Sequence, residues 1–92
     1  MPRFLIEVPH SEEPTACARE VHVFLSTGSH FLSRADWGCM DGVHCAWLIV
    51  EAANKQDARM MLPPLFRSQA KIVGLNGFNL EQIEGVIRQD TQ

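Results

Sequence analysis

The amino-acid sequence predicts an α+β sandwich with the element order βαββαβ, the ferredoxin-like arrangement, followed by one extra C-terminal helix. Two spacings of apolar residues predict it: alternation, which is typical of strands, and recurrence every three to four residues, which is typical of helices. With right-handed crossovers, this order gives a four-stranded antiparallel sheet with the helices on one face. The 92 residues, 46% hydrophobic and 21% charged, suit a single domain spanning 1–92.

The N-terminal third supplies the first strand and the first helix. Apolar residues alternate along Arg3–Val8, so this stretch is predicted to be a strand. Ser11, followed by two glutamates and a proline, predicts the start of a helix, because the hydroxyl can cap it and the acids face the positive end of its dipole. Cys17 and Phe24 then fall on the inward side, and Ser26–His30 is expected to end the helix.

The segment ADWGCMDGVHCAW (35–47) is predicted to be a β-hairpin. Its Asp-Gly pair, Asp41 and Gly42, is the strongest short signal for a two-residue turn between strands. The pairs expected across this turn are Met40 with Val43, Cys39 with His44, Gly38 with Cys45, and Trp37 with Ala46.

The second half of the chain completes the pattern with two helices and a strand. Asn54–Leu62 is a capped helix that the Pro63-Pro64 pair should close, and Ala70–Phe78 is the last strand. Asn79–Gln89 is a short terminal helix. Its inward residues are expected to be Leu80, Ile83 and Ile87.

Alternation along the hairpin assigns its side chains to two faces of the sheet. One face is nearly all apolar and should lie under the helices with the first strand; it carries Ala35, Trp37, Cys39, His44, Ala46, Leu48 and Val50. The other face mixes charges with large apolar groups: Arg3, Leu5, Glu7, Arg34, Asp36, Met40, Val43, Cys45, Trp47, Ile49 and Glu51. This mixture predicts a homodimer in which the open face meets the sheet of a second copy.

Two segments carry a family resemblance, ADWGCMDGVHCAWLIVEA (35–52) and LPPLFRSQAKIVGLNGF (62–78). With the element order and the half-apolar open face, they resemble the dimeric α+β barrel superfamily, and within it a small uncharacterised bacterial family. The superfamily includes small haem-degrading and quinone-forming monooxygenases and muconolactone-isomerase-like enzymes. The resemblance implies a small-molecule pocket between two facing sheets. It selects no reaction, because the chain has no tyrosine and no monooxygenase motif.

The topology gathers four soft ligands at one end of the sheet: His10, Cys17, Cys39 and His44. Two thiols and two imidazoles are a donor set that suits zinc. However, no C-x₂-C or H-x₃-H pair occurs, so we favour no metal site. We expect the cysteines to be small buried apolar groups and the histidines to lie in solvated turns. A catalytic Cys39–His44 couple is a weaker alternative, because no third group that orients it is evident.

The open face offers a second set of candidates. Glu7, Asp36 and Glu51 are candidate catalytic bases, because carboxylates in a partly dry barrel bind protons more tightly. The candidate ligand-binding residues are Arg3, Arg34, Cys45 and Trp47. Ion pairs across a dimer are the alternative role for the charged members of both sets.

Two functions are therefore predicted. The favoured one is a homodimeric module that binds a small ligand or a partner between its sheets; the other is a cofactor-free isomerase- or monooxygenase-like enzyme with a carboxylate base. The net charge of −3 and the scattered basic residues argue against nucleic acid as a partner, and the apolar runs are too short to span a membrane. Three cysteines in no disulfide pattern suit a reducing compartment, so a cytoplasmic protein without a cofactor is expected.

Overall fold

The computed structural model describes residues 1–26 and 32–90, except for the side chains of Ser33 and Asp90. It confirms the α+β class and the four-stranded antiparallel sheet, which is open and has the strand order β2-β3-β1-β4. The strands are β1 (Arg3–Pro9), β2 (Asp36–Trp37), β3 (Cys45–Glu51) and β4 (Lys71–Leu75). The helices are α1 (Pro14–Ser26), α2 (Lys55–Met60), α3 (Pro64–Arg67) and α4 (Leu80–Asp90).

The first strand lies in the middle of the sheet. Ile6, at its centre, pairs with Leu48 of β3 on one side and with Ile72 of β4 on the other. β2 is short and contributes two pairs, of which Trp37 with Ala46 is the one predicted from the hairpin. β4 pairs with Arg3–Glu7, and β3 pairs with all of β1, so the end of β1 at Pro9 is paired through β3.

The predicted two-residue turn at Asp41-Gly42 is wrong. The segment Cys39–Asp41 forms a turn of 3₁₀ helix, and Gly42 then takes a left-handed conformation with φ of 82°. A Cβ on Gly38 would lie 2.6 Å from the carbonyl oxygen of Val43, so the chain crosses itself closely at this glycine. The predicted pair of Gly38 with Cys45 is still formed, since the N–H of Gly38 donates to the carbonyl oxygen of Cys45 at 3.1 Å. The predicted pairs beyond it are replaced by the 3₁₀ turn, so the loop after Gly38 is longer than an Asp-Gly turn allows.

The core lies between the helices and one face of the sheet. Its largest fully buried side chains are Phe24, Phe66, Ile6, Leu32, Leu62 and Val8. The helix α2 ends before the pair Pro63-Pro64, as predicted. In addition, Pro64 begins a short helix, α3, that was not predicted. Arg67 binds the carbonyl oxygens of Leu62 and Met60 through its guanidinium group, so it stabilises this connection.

The N-terminus of α1 is capped differently from the prediction. The carboxylate of Glu13, not the hydroxyl of Ser11, accepts hydrogen bonds from the backbone N–H groups of Thr15 and Ala16. Ser11 instead accepts a bond from the N–H of Glu13. The described part of α1 ends at Ser26, the first residue of the predicted stop segment; the rest of that segment lies among residues 27–31, outside the described part of the chain.

The terminal helix α4 is well capped but does not pack as predicted. Asn79 and Gln82 form a reciprocal capping box, each side chain accepting a bond from the backbone N–H of the other. Its predicted inward residues are exposed instead, Leu80 at 73%, Ile83 at 38% and Ile87 at 56%. The apolar side of α4 is therefore not part of the core of its own chain. No helix in the described ranges combines the length and apolar character that crossing a bilayer requires.

Candidate metal centre

Two thiols and two imidazoles meet at one end of the sheet. One ligand atom from each of His10, Cys17, Cys39 and His44 lies within 4.8 Å of the other three. Cys17 is buried, and the other three side chains are partly buried. The structure thus brings together all four residues that the topology alone placed at this end.

Four different elements deliver these side chains. His10 follows the last residue of β1, and its backbone N–H donates to the carbonyl oxygen of His44 at 3.0 Å, which extends the β1–β3 pairing by one residue. His44 directly precedes β3. Cys17 lies in the first turn of α1, which starts at the same end of the sheet, and Cys39 begins the 3₁₀ turn. Two of the ligands therefore lie within helical turns, and the two histidines lie directly beside the paired strands β1 and β3.

The separations among three of the ligand atoms match the edges of a zinc tetrahedron. With ordinary Zn–S and Zn–N bond lengths, two sulfurs are about 3.8 Å apart, and a sulfur and a nitrogen about 3.5 Å. The sulfurs of Cys17 and Cys39 are 3.6 Å apart, and Nε2 of His10 lies 3.0 Å from Cys39 Sγ and 3.3 Å from Cys17 Sγ. A small outward movement of these atoms would admit a metal ion between them.

Aromatic packing holds the imidazoles at the cluster. The ring of His10 meets Trp37 edge to face at 5.5 Å, and Trp37 in turn meets Phe24 of the core at 5.1 Å. The rings of His10 and His44 are 5.6 Å apart and nearly perpendicular. The Nδ1 atoms of both histidines are buried and have no hydrogen-bond partner in the described part of the protein. A buried polar atom left unpaired is unfavourable by about 1–3 kcal/mol. In His10 this atom is the ring nitrogen opposite Nε2, which contacts the two sulfurs.

The thiols differ in their surroundings. Burial, followed by the hydrogen bond and charge of Cys39, raises the pKa of the Cys17 thiol above its ordinary value of 9.0. Cys45 lies apart from the cluster, and its Sγ is directed to the carbonyl oxygen of Ala46. Burial and the carboxylate of Glu7 raise the pKa of this third thiol as well.

The arrangement changes one detail of the sequence interpretation. The imidazole in contact with Cys39 Sγ is that of His10, whereas the cross-strand couple considered above was Cys39 with His44. The spacing of the four residues matches no metal motif, because each comes from a different element. The signal available in the sequence was the topology, which sends the end of one strand, the start of another and the start of a helix to the same place.

Five of the candidate residues of the open face line two cavities that are open to solvent. The larger, about 550 Å³, is lined by Arg3, Arg34 and Glu51 among others, and the smaller, about 320 Å³, by Arg34, Asp36 and Trp47 among others. Glu7 accepts a hydrogen bond from the indole N–H of Trp47 at 3.1 Å, so this carboxylate is engaged. Cys45 lines neither of these two cavities. Among the described residues, the open face thus offers charged pockets but no set of metal-binding side chains as close together as the four of the cluster.

Comparison of the chain with protein-family models, with curated proteins and with solved structures finds no match in any of the three.

Proposed function

We propose that this chain is a zinc-binding protein whose ion is held by Cys17, Cys39, His10 and His44. The observation that carries the proposal is the meeting of four soft donor atoms within 4.8 Å. Two thiolates and two imidazoles are a donor set that zinc accepts in tetrahedral geometry, with all four positions taken by protein. A site of this closed kind is structural, since it leaves no position for a substrate or for water.

The elements that carry the ligands show what the ion would stabilise. It would join the end of β1, the start of α1 and the loop before β3 at a point where three side chains are only partly buried. Binding requires thiolates and neutral imidazoles, so it releases protons and couples affinity to folding. The raised pKa of Cys17 is the behaviour expected of the metal-free site, because the thiol there is buried beside a second thiol.

Equilibrium dialysis of the reduced, untagged protein against Zn²⁺ tests the proposal. We expect about one ion per chain and a higher melting temperature with zinc; at a free concentration of one hundred times Kd the gain is about 2.7 kcal/mol. Co²⁺ should give the intense visible absorption of a tetrahedral ion and a thiolate-to-metal charge-transfer band.

The cysteines provide matched controls. Cys39→Ser removes one of the two thiolates and should strongly weaken the thiolate band and the stabilisation, whereas Cys45→Ser, the same change outside the cluster, should leave both intact. Reduced protein that binds neither ion, or equal loss in both variants, would contradict the site.

The exposed area supports a second proposal, a homodimer formed through the open face. The chain exposes 6497 Å², and a folded monomer of this mass exposes about 5,400 Å². The difference, about 1,100 Å², is of the order of one partner's share of a stable interface, and it is spread over the whole surface, including α4 as well as the open face. Ile49 on the open face is 59% exposed, and Val43, in the loop before β3, is 49% exposed. We therefore propose the ferredoxin-like, dimeric α+β barrel arrangement, with a small ligand in the cavities beside Arg34.

Light scattering at micromolar concentration tests the dimer. The native protein should have twice the mass of the chain, and Ile49→Glu should shift it towards the monomer, since it places a charge on an apolar contact. A monomer with a normal melting transition would refute this arrangement. The isomerase- or monooxygenase-like alternative keeps Asp36, Glu51 and Glu7 as candidate bases, and in Glu7 one carboxylate oxygen already accepts from the indole of Trp47.

A further inference from the structure

The two sulfurs of the cluster contact each other as well as the imidazole of His10. Cys17 Sγ and Cys39 Sγ are 3.6 Å apart, which is van der Waals contact for two sulfur atoms. They come from positions 22 residues apart in the chain, in α1 and in the 3₁₀ turn. The same two atoms that supply half of the zinc ligands are therefore placed to react with each other.

We propose that the zinc site is redox-sensitive: a peroxide converts Cys17 and Cys39 to a disulfide, and the ion is released. This inference rests on the proposed zinc site. A disulfide sulfur has lost the negative charge that makes a thiolate a good ligand, so oxidation removes two of the four donors in one reaction. The two remaining imidazoles, His10 and His44, hold zinc far more weakly than the complete set.

The surroundings of the sulfurs assign the order of the two steps. Cys17 is 8% exposed, whereas Cys39 is partly exposed, so the peroxide reaches Cys39 first. The sulfur of Cys39 attacks one peroxide oxygen; an S–O bond forms, the O–O bond breaks, and hydroxide leaves and takes up a proton. The sulfur of Cys17 then attacks Cys39 Sγ; the S–S bond forms, and the oxygen leaves as water after a second protonation.

The balance of the reaction is complete. Two thiolates, one hydrogen peroxide and two protons give one disulfide and two waters, and the two electrons pass from sulfur to oxygen. Zinc keeps its charge and leaves as Zn²⁺. A thiol reductant reverses the change by exchange with the disulfide, after which the site can bind zinc again.

The decisive experiment treats the zinc-loaded protein with one equivalent of hydrogen peroxide beside a chromogenic chelator. Trypsin is expected to place Cys17 in the peptide 4–19, and Cys39 and Cys45 together in 35–55. Mass spectrometry without reduction is therefore carried out in the Cys45→Ser background, where a link between the two peptides identifies the Cys17–Cys39 disulfide. We expect loss of one zinc per disulfide formed, and recovery of both thiols and zinc after reduction.

Each of the other possible outcomes contradicts either the metal site or its redox control. No bound zinc before oxidation would refute the metal site itself. Bound zinc that stays on the protein while the disulfide forms, or zinc lost with only over-oxidised, unlinked cysteines, would refute the redox control and leave the metal site standing. Cys17→Ser tests the second step of the oxidation, because it removes the thiol that attacks Cys39. Oxidation of Cys39 should then stop at the sulfenic acid, which a dimedone probe labels, and no disulfide between the two peptides should form.

Discussion

Gly38 directly precedes the 3₁₀ turn that places Cys39 in the cluster, and it has no room for a side chain. A Cβ at this position would lie 2.6 Å from the carbonyl oxygen of Val43 and 2.9 Å from the ring of Trp47. The backbone cannot give way without moving the 3₁₀ turn that begins at Cys39. Gly38→Ala should therefore lower the free energy of unfolding by about 1–3 kcal/mol, the usual effect of overpacking, and weaken zinc binding.

Urea unfolding, with and without zinc, measures the effect of Gly38→Ala. Gly77→Ala is the matched control, because no atom lies within 4 Å of a Cβ built there and its φ is not positive. That variant should stay within about 0.5 kcal/mol of the native protein. Equal stability of the two variants would show that the chain does not cross itself closely at Gly38.

The thiol of Cys17 should make the metal-free protein sensitive to alkaline pH. Its pKa is raised in the folded state by burial and by Cys39, from an ordinary value of 9.0. Above about pH 9 the unfolded chain loses a proton that the folded chain retains, so stability is complete below that pH and falls as pH rises through the folded-state value. Cys45, whose pKa is also raised, acts in the same direction.

Melting temperatures of metal-free, reduced protein at about pH 8 and about pH 10 test this linkage. The decrease between them should be smaller in Cys17→Ala than in the native protein. Cys45→Ala should remove a separate part of the decrease. A decrease that neither substitution changes would assign the alkaline sensitivity to other groups.

At the scale of elements, α4 exposes an apolar side that the core of its own chain does not cover. Leu80 and Val86 lie on this side, at 73% and 55% exposed. We infer that the homodimer proposed through the open face also covers this side. Leu80→Lys with Val86→Lys should therefore weaken self-association about tenfold or more while leaving monomer stability nearly unchanged, since each charge would have to leave water at the contact. Unchanged association would show that the dimer leaves α4 uncovered. Sedimentation equilibrium measures the association. Gln89→Lys, on the polar side of α4, adds one lysine charge, and each of the two single variants Leu80→Lys and Val86→Lys can be compared with it; Gln89→Lys should have no such effect.

The elements were predictable where a local signal determines them and less so where packing decides. The alternation of apolar residues predicts β1. Asn54 predicts the start of α2, and its side chain does accept a hydrogen bond from the N–H of Asp57. The Asp41-Gly42 pair misled the turn prediction, because close packing of Gly38 on Trp47 outweighs the preference of two residues. The exposed side of α4 was misassigned because a helical period shows that a face is apolar, not which molecule covers it.

At the scale of the whole molecule, the sequence predicts where the candidate site lies but not the distances between its ligand atoms. The order of strands and helices sends His10, Cys17, Cys39 and His44 to one end of the sheet, and parity puts them on one side. Neither fact gives a distance. The 3.0 Å and 3.3 Å contacts of His10 with the two sulfurs depend on the 3₁₀ turn and on the packing of Trp37, which no spacing in the sequence encodes.

The four ligands all lie between positions 10 and 44, in the half of the chain that leaves the ribosome first. β4, which covers the free edge of β1, is made later. A nascent chain that ends after β3 already holds every donor of the site, so the ion can be captured during synthesis and can hold β1 against β3 before the sheet is complete. A peptide of residues 1–53 should accordingly bind Co²⁺ with the thiolate band, more weakly than the full chain. The metal would then act as a template for the rest of the fold as well as a support for the finished one.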